Sequence, residues 1–224
     1  VPRAIKMIKE AIEQKKLSLE EINNKCRKIL LAKKWMNLDN YVPLDIEVIK
    51  DSIIASKTSK INFDLIKSSM TLLQNYDSIV PLERLDTLKI ASLSIGEKSH
   101  SFQRMLNNYT KVDTFSIIEN AGIKEQAFIL DQLSGYNLVV VSVHKSNVNA
   151  WKDYTISKNT DIFLQTIALQ SKVVLTIFAS PYSINSFLFT DNFDAMLLGY
   201  QNSILAQEIA AQAIFGGVSI RGSL

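Results

Sequence analysis

Cysteine is nearly missing from this sequence. Cys26 is the single one among 224 residues, which excludes an internal disulfide and any zinc cluster built on thiolates. Histidine is almost as scarce, with only His100 and His144, so a multi-histidine metal site is not expected. Seven glycines and four prolines are too few for collagen-like or low-complexity sequence. No apolar run approaches the roughly 20 residues of a membrane-spanning helix, so no span is expected. Charge of one sign is lacking too, with 25 basic against 22 acidic residues. The basic surplus sits in residues 1–60, with 13 against 8, whereas 61–224 carry 12 against 14. It is mostly lysine, lies opposite the apolar stripe of the expected helices, and lacks clustered arginine and stacking aromatics. A solvated face is expected, and no nucleic-acid partner.

What the sequence does have is apolar residues, 47% of the total, enough to bury a core in one domain or two. Ile5, Ile8 and Ile12 recur at helical spacing over 2–15. Ser18-Leu19-Glu20-Glu21 has the form of a capping box, in which Ser18 accepts from the Glu21 backbone and Glu21 reaches back. The helix it opens carries a stripe of Ile22, Cys26, Ile29 and Leu30 to about Met36, and that spacing assigns Cys26 to a core. Residues 37–43 are polar and read as a linker, followed by helical stretches at 44–57 and 62–73.

The remainder changes rhythm. Five short runs at 89–95, 112–118, 138–143, 173–178 and 195–198 are β-branched or apolar. Helix-period segments lie between them at 99–108, 123–133, 160–170, 183–188 and 203–215. Val139-Val140-Val141 and Val173-Val174-Leu175 belong to nearly continuous apolar runs, the mark of strands covered on both faces in a parallel sheet. The expected fold is α/β: a doubly wound, mostly parallel sheet of five to six strands sandwiched by helices, preceded by an N-terminal helical segment.

In such a fold ligands bind beyond the carboxyl ends of the strands. Gly96-Glu97-Lys98-Ser99-His100 follows the first run but lacks the earlier glycine and the six-residue cradle of a phosphate loop. G-x-G-x-x-G and G-x-S-x-G are both missing, so no cofactor is implied. His100 and His144 fall just past strand ends on the same edge. They read either as loop histidines capping carbonyls or as an acid–base pair. Trp151, Asp153 and Tyr154 lie in the longest strand–helix connection, a mix that packs, stacks on a sugar or docks a partner domain. No carboxylate pair stands out, so no catalytic residue is assigned.

Four stretches, in order, resemble the C-terminal part of glycoside hydrolase family 3. Leu17-Ser18-Leu19-Glu20-Glu21-Ile22 with Cys26-Arg27-Lys28-Ile29-Leu30 is similar to the last helices of that family's barrel. Met70-Thr71-Leu72-Leu73-Gln74-Asn75 with Val80-Pro81-Leu82 resembles its segment ahead of the first strand, and Lys89-Ile90-Ala91 to Ile95-Gly96 that strand. Ser180-Pro181-Tyr182, Asp194-Ala195-Met196-Leu197-Leu198-Gly199-Tyr200 and Ile214-Phe215-Gly216-Gly217-Val218 to Gly222-Ser223-Leu224 resemble its closing segments.

The resemblance implies a retaining glycosidase in which one carboxylate attacks the anomeric carbon and an acid protonates the leaving oxygen. It implies that 1–36 are the terminal helices of a truncated barrel, 37–60 a linker and helix, and 61–224 the α/β sandwich. Both ends then read as cuts through a longer polypeptide. The compartment stays open, a bacterial periplasmic or cell-envelope setting included. The family's nucleophile is a barrel aspartate, upstream of Val1. The isolated chain is therefore expected to be inactive, its partner the barrel of the same polypeptide, and a glycan bound only in the full-length protein. The β-glucosidase-like branch carries its acid as a glutamate after the third strand, where 143–151 has none. The β-N-acetylglucosaminidase-like branch carries an Asp–His pair on the barrel, and is favoured. The alternatives are the β-glucosidase-like branch, with this domain lending an active-site loop or an acid such as Asp153, and a stand-alone flavodoxin-like binding module.

Overall fold

The computed structural model describes residues 1–43, 45, 46, 49, 56–96, 100–145 and 153–224. The chain divides into two compact units, Val1–Ala55 and Ser56–Leu224.

The first unit holds α1 (Pro2–Glu13) and α2 (Leu19–Trp35). Pro2 suits the opening turn of α1, where its missing N–H costs nothing. Ser18 caps α2 by accepting from the Glu21 N–H at 3.0 Å. Glu21 itself pairs forward with Lys25 at 2.8 Å rather than closing the expected box. Acids in the first turn and Lys33 and Lys34 in the last both favour the helix dipole. Neither helix buries a residue. Ile5, Ile8, Leu19, Ile29 and Leu30 are all exposed, and Cys26 is exposed as well. The core assignment of Cys26 is therefore corrected: helical spacing gives a residue a face, and only a packed partner buries it. Most of the helical stretch expected at 44–57 lies outside the described residues.

The second unit is the α/β layer structure expected from the alternating rhythm. It contains α3 (Ser56–Ser69), β1 (Thr71–Asn75), β2 (Ile90–Ile95), α4 (His100–Leu106), β3 (Val112–Ile117), α5 (Ile123–Leu133), β4 (Leu138–His144), α6 (Lys158–Ala168), β5 (Lys172–Phe178), β6 (Ala195–Leu198) and α7 (Ile204–Ile214). The sheet order is β1-β6-β5-β4-β2-β3. Every neighbouring pair is parallel except β1 with β6, which is antiparallel.

That antiparallel edge strand overturns part of the helix expected over 62–73. The helix stops at Ser69, whose hydroxyl donates to the Ile66 carbonyl at 2.8 Å. Thr71–Asn75 then pairs with β6. Met70-Thr71-Leu72-Leu73 is apolar enough for either period, and the open edge of β6 selects the strand. Helical spacing at 183–188 is likewise replaced by a 3-10 turn at Pro181–Ser186, too short and too proline-bound at its start for an α-helix.

Strand alternation builds two cores. Leu138, Val140, Val174, Phe178 and Leu197 face α3, α4 and α7. Val139, Val141, Val143, Leu175 and Leu198 face α5 and α6. Because β3 and β4 lie on opposite sides of β2, the chain reverses direction there, which sets a crevice at the carboxyl ends of β2 and β4. No described helix is long and apolar enough to cross a membrane.

Candidate functional site

The crevice begins where β2 ends. Gly96 sits at φ +96°, and its N–H donates to the Ile117 carbonyl at 3.1 Å. A Cβ here would stand 2.5 Å from the His144 carbonyl oxygen. Glycine is thus required by backbone angle and by the close approach of β4. His100, the other edge histidine, opens α4. The two histidines therefore share one end of neighbouring strands, as expected from the sequence.

His144 is the last residue of β4 rather than a loop residue, and it is 3% exposed. Alternation turns Ser142 and His144 to the α4/α7 face. The imidazole stacks on Phe178 with centroids 5.0 Å apart and planes 20° from parallel. Nδ1 lies 2.8 Å from Asn202 Oδ1, and Nε2 lies 2.9 Å from Ser142 Oγ. Asn202 Oδ1 also accepts from Gln207 Nε2 at 2.8 Å. That contact leaves Asn202 Oδ1 as acceptor for the Nδ1–H of His144, and Nε2 shares the second contact with the Ser142 hydroxyl. Both ring nitrogens are engaged inside the protein, so the ring works as a joint between β4 and the β6–α7 connection.

Lys145, one residue on, reaches the rim. Its ammonium pairs with Glu119 at 2.9 Å, the side chains 15% and 25% exposed, and it donates to the Thr155 carbonyl. Asp153 accepts from the Thr155 N–H at 2.8 Å and from its hydroxyl at 2.6 Å. These bonds, with a smaller contribution from Lys145, hold the Asp153 carboxyl below its ordinary value of 3.8. Hydrogen bonds to the charged form have that sign. A general acid at neutral pH needs a raised value, so Asp153 is built as an ionised turn anchor. Trp151 lies outside the described residues.

Tyr154 is exposed and faces Tyr182 from the 3-10 turn, with ring centroids 5.9 Å apart and a tilt of 47°. Both rings line an open cavity of about 400 Å³ shared with Lys158, Asn185, Ser186 and Leu188. A second cavity of about 460 Å³ lies along the β3 edge, lined by Ile117, Ile118, Phe128 and Ile129. Residue types alone flagged Tyr154 and Asp153. Lys145, Glu119, Asn202 and Tyr182 carried no such signal, because their partners are distant in sequence. Tyr182 stood out only within Ser180-Pro181-Tyr182.

No protein-family model and no curated protein matches this chain. Solved structures do resemble it. A glycoside hydrolase family 3 β-N-acetylglucosaminidase from Paenibacillus is 16% identical with a TM-score of 0.64, covering 96% of this chain and 40% of its own. A fungal multi-domain family 3 β-N-acetylglucosaminidase is 17% identical with a TM-score of 0.63, covering 99% and 25%. A β-glucosidase from Listeria innocua, solved in complex with isofagomine, is 17% identical with a TM-score of 0.67, covering 94% and 33%. The chain thus spans between a quarter and two fifths of the length of these chains. At such identities the likeness is one of fold: nearly all of this chain follows the backbone of part of a family 3 glycoside hydrolase.

Proposed function

We propose that this chain is a non-catalytic α/β unit of a family 3 glycoside hydrolase of the β-N-acetylglucosaminidase-like branch, and that it supports a catalytic barrel in the same polypeptide. The observation that carries the reading is the chemical state of the crevice edge. His144 has both nitrogens engaged by Asn202 and Ser142, and Asp153 is held ionised by Thr155. The β-glucosidase-like alternative asks this edge for a proton donor, and an anchored carboxylate is a poor one. Hydrolysis of the glycan then belongs to carboxylates on the barrel, with the sugar bound only when both parts are present.

The exposed stripe of the first unit supports the same reading. Ile5, Ile8, Ile29 and Leu30 form apolar faces of the kind that helices of a larger barrel turn inward. In this proposal residues 1–36 complete the barrel, 37–60 link it, and 61–224 form the sandwich.

The purified 224-residue chain is expected to release no nitrophenol from 4-nitrophenyl N-acetyl-β-D-glucosaminide or 4-nitrophenyl β-D-glucoside. Enzyme-like turnover of either substrate overturns the non-catalytic reading. The coding sequence upstream of Val1 tests the rest. A barrel with a nucleophilic aspartate and an Asp–His loop is expected there, and an ordinary start codon with no hydrolase module refutes it.

A further inference from the structure

The two edges of the sheet are finished differently. At β1 the start of the strand is met by Gly222, whose N–H donates to the Met70 carbonyl at 2.9 Å. At β3 no further strand lies alongside among the described residues. This edge carries none of the usual guards against pairing. It has no proline or glycine, and its register with β2 runs from Val112 to Ile117 without a bulge. Its one charged residue, Asp113, has Oδ2 held by the Tyr136 hydroxyl at 2.8 Å. The direction of the open groups follows from the Ile117 carbonyl, which accepts from Gly96 at the end of β2. Asp113, Phe115 and Ile117 therefore turn their backbone groups to β2, and Thr114 and Ser116 turn theirs outward. At Val112 the outward side is already filled, because the Asn107 amide accepts from its N–H and donates to its carbonyl, each at 3.0 Å. At the other end the chain leaves the edge, with the Ile118 carbonyl accepting from Ala121 at 3.3 Å. The open stretch is short and symmetric about Phe115.

We propose that this edge is a two-fold interface between copies of this chain, in which β3 pairs antiparallel with β3 of a second copy and continues the sheet. Opposing Thr114 to Ser116 of the second copy engages every outward group of both strands and puts Phe115 on the axis. Asn107 then falls where the second chain has already turned away at its own Ile118, so the two caps do not collide. On the α5 face this register sets Asp113 opposite Ile117 of the other copy. Ile117 shares a cavity of about 460 Å³ with the exposed Lys124. Asp113 has Oδ1 left for that ammonium, so the pairing is charge-complementary, and the symmetry makes it so twice. Phe115 and Ile117 are partly buried on the same face, and Ile118 and Phe128 stand exposed at the cavity. Brought together across the axis, these side chains supply the apolar contact that stabilises cross-strand pairs. The interface does not depend on the glycosidase reading.

Sedimentation velocity of the 224-residue chain tests it, from the low-micromolar to the hundred-micromolar range. The mass is expected to rise from 25.2 kDa towards twice that value. Ser116→Pro removes an outward N–H and sets a ring on the edge without touching the ladder to β2. Phe128→Glu charges the exposed cavity and leaves the strand alone. Each is expected to weaken association by at least about tenfold, with far-UV circular dichroism unchanged. Because the helices of the first unit also expose apolar faces, the double variant Ile5→Glu with Ile29→Glu is the control, expected to associate like the parent. The register is read by oxidation in a Cys26→Ser background. Thr114→Cys mixed with Ser116→Cys is expected to cross-link severalfold more than either alone, since directly opposed residues of this kind stand about 5.5 Å apart at Cα. A chain that stays monomeric throughout, association that survives both Ser116→Pro and Phe128→Glu, or equal cross-linking by the single variants overturns the interface.

Discussion

Replacing Gly96 by alanine tests how tightly the crevice is built. At φ +96° an L-residue enters a left-handed region that costs about 1–2 kcal/mol. The added Cβ would also meet the His144 carbonyl oxygen at 2.5 Å, so the end of β2 or of β4 has to give way. Relief by rotamer change is unavailable, since the obstacle is backbone. Moving the end of β4 disturbs the imidazole held by Asn202 and Ser142. Overpacking of this kind adds on the order of 1–3 kcal/mol. A total near 3 kcal/mol corresponds to a fall in Tm of about 6–12 °C for a unit of this size. The matched control is Gly135→Ala, whose Cβ would meet only the flexible Lys89 ammonium at 3.2 Å. Reduced unfolded-state entropy should leave it neutral or up to about 1 kcal/mol more stable. Thermal unfolding followed by far-UV circular dichroism reads both. A Gly96→Ala midpoint within 2 °C of the parent refutes the argument for that contact.

The buried histidine gives a second expectation. His144→Phe keeps the stack on Phe178 but strands the Ser142 hydroxyl, so urea unfolding should show a loss of about 1–3 kcal/mol, and an unchanged midpoint contradicts the joint described above. Asp153 gives a third, in pH. Its folded pKa is lowered, so the turn it anchors is fully held above the ordinary value of 3.8 and is released as pH falls through the lower folded value. The Thr155 amide signal, followed by nuclear magnetic resonance, should titrate with a midpoint below 3.8, and one at or above it removes the anchoring role.

The fold was largely written in local pattern. Val139, Val141 and Val143 alternate with Leu138 and Val140, and residues apolar at both parities have to be covered on both faces. Helix periods between such runs then leave few topologies besides a wound parallel sheet. The edge of that sheet was not legible in this way. Thr71–Asn75 is a strand because β6 offers it hydrogen bonds, and Cys26 is exposed although helical spacing put it on an apolar stripe.

For the candidate site the division is sharper. Residue types drew attention to His100, His144, Asp153 and Tyr154 at strand ends, because sheet topology sends those ends to a common edge. Which of them do chemistry is a matter of partners far away in the chain. Asn202 is 58 residues from His144, and Tyr182 meets Tyr154 across the whole of α6 and β5. Sequence alone determined the layers, since burial demands act on neighbouring residues and leave a period. Tertiary structure decided the joint, the anchor and the tyrosine pair, since hydrogen bonds and ring contacts form between atoms that only folding brings within reach.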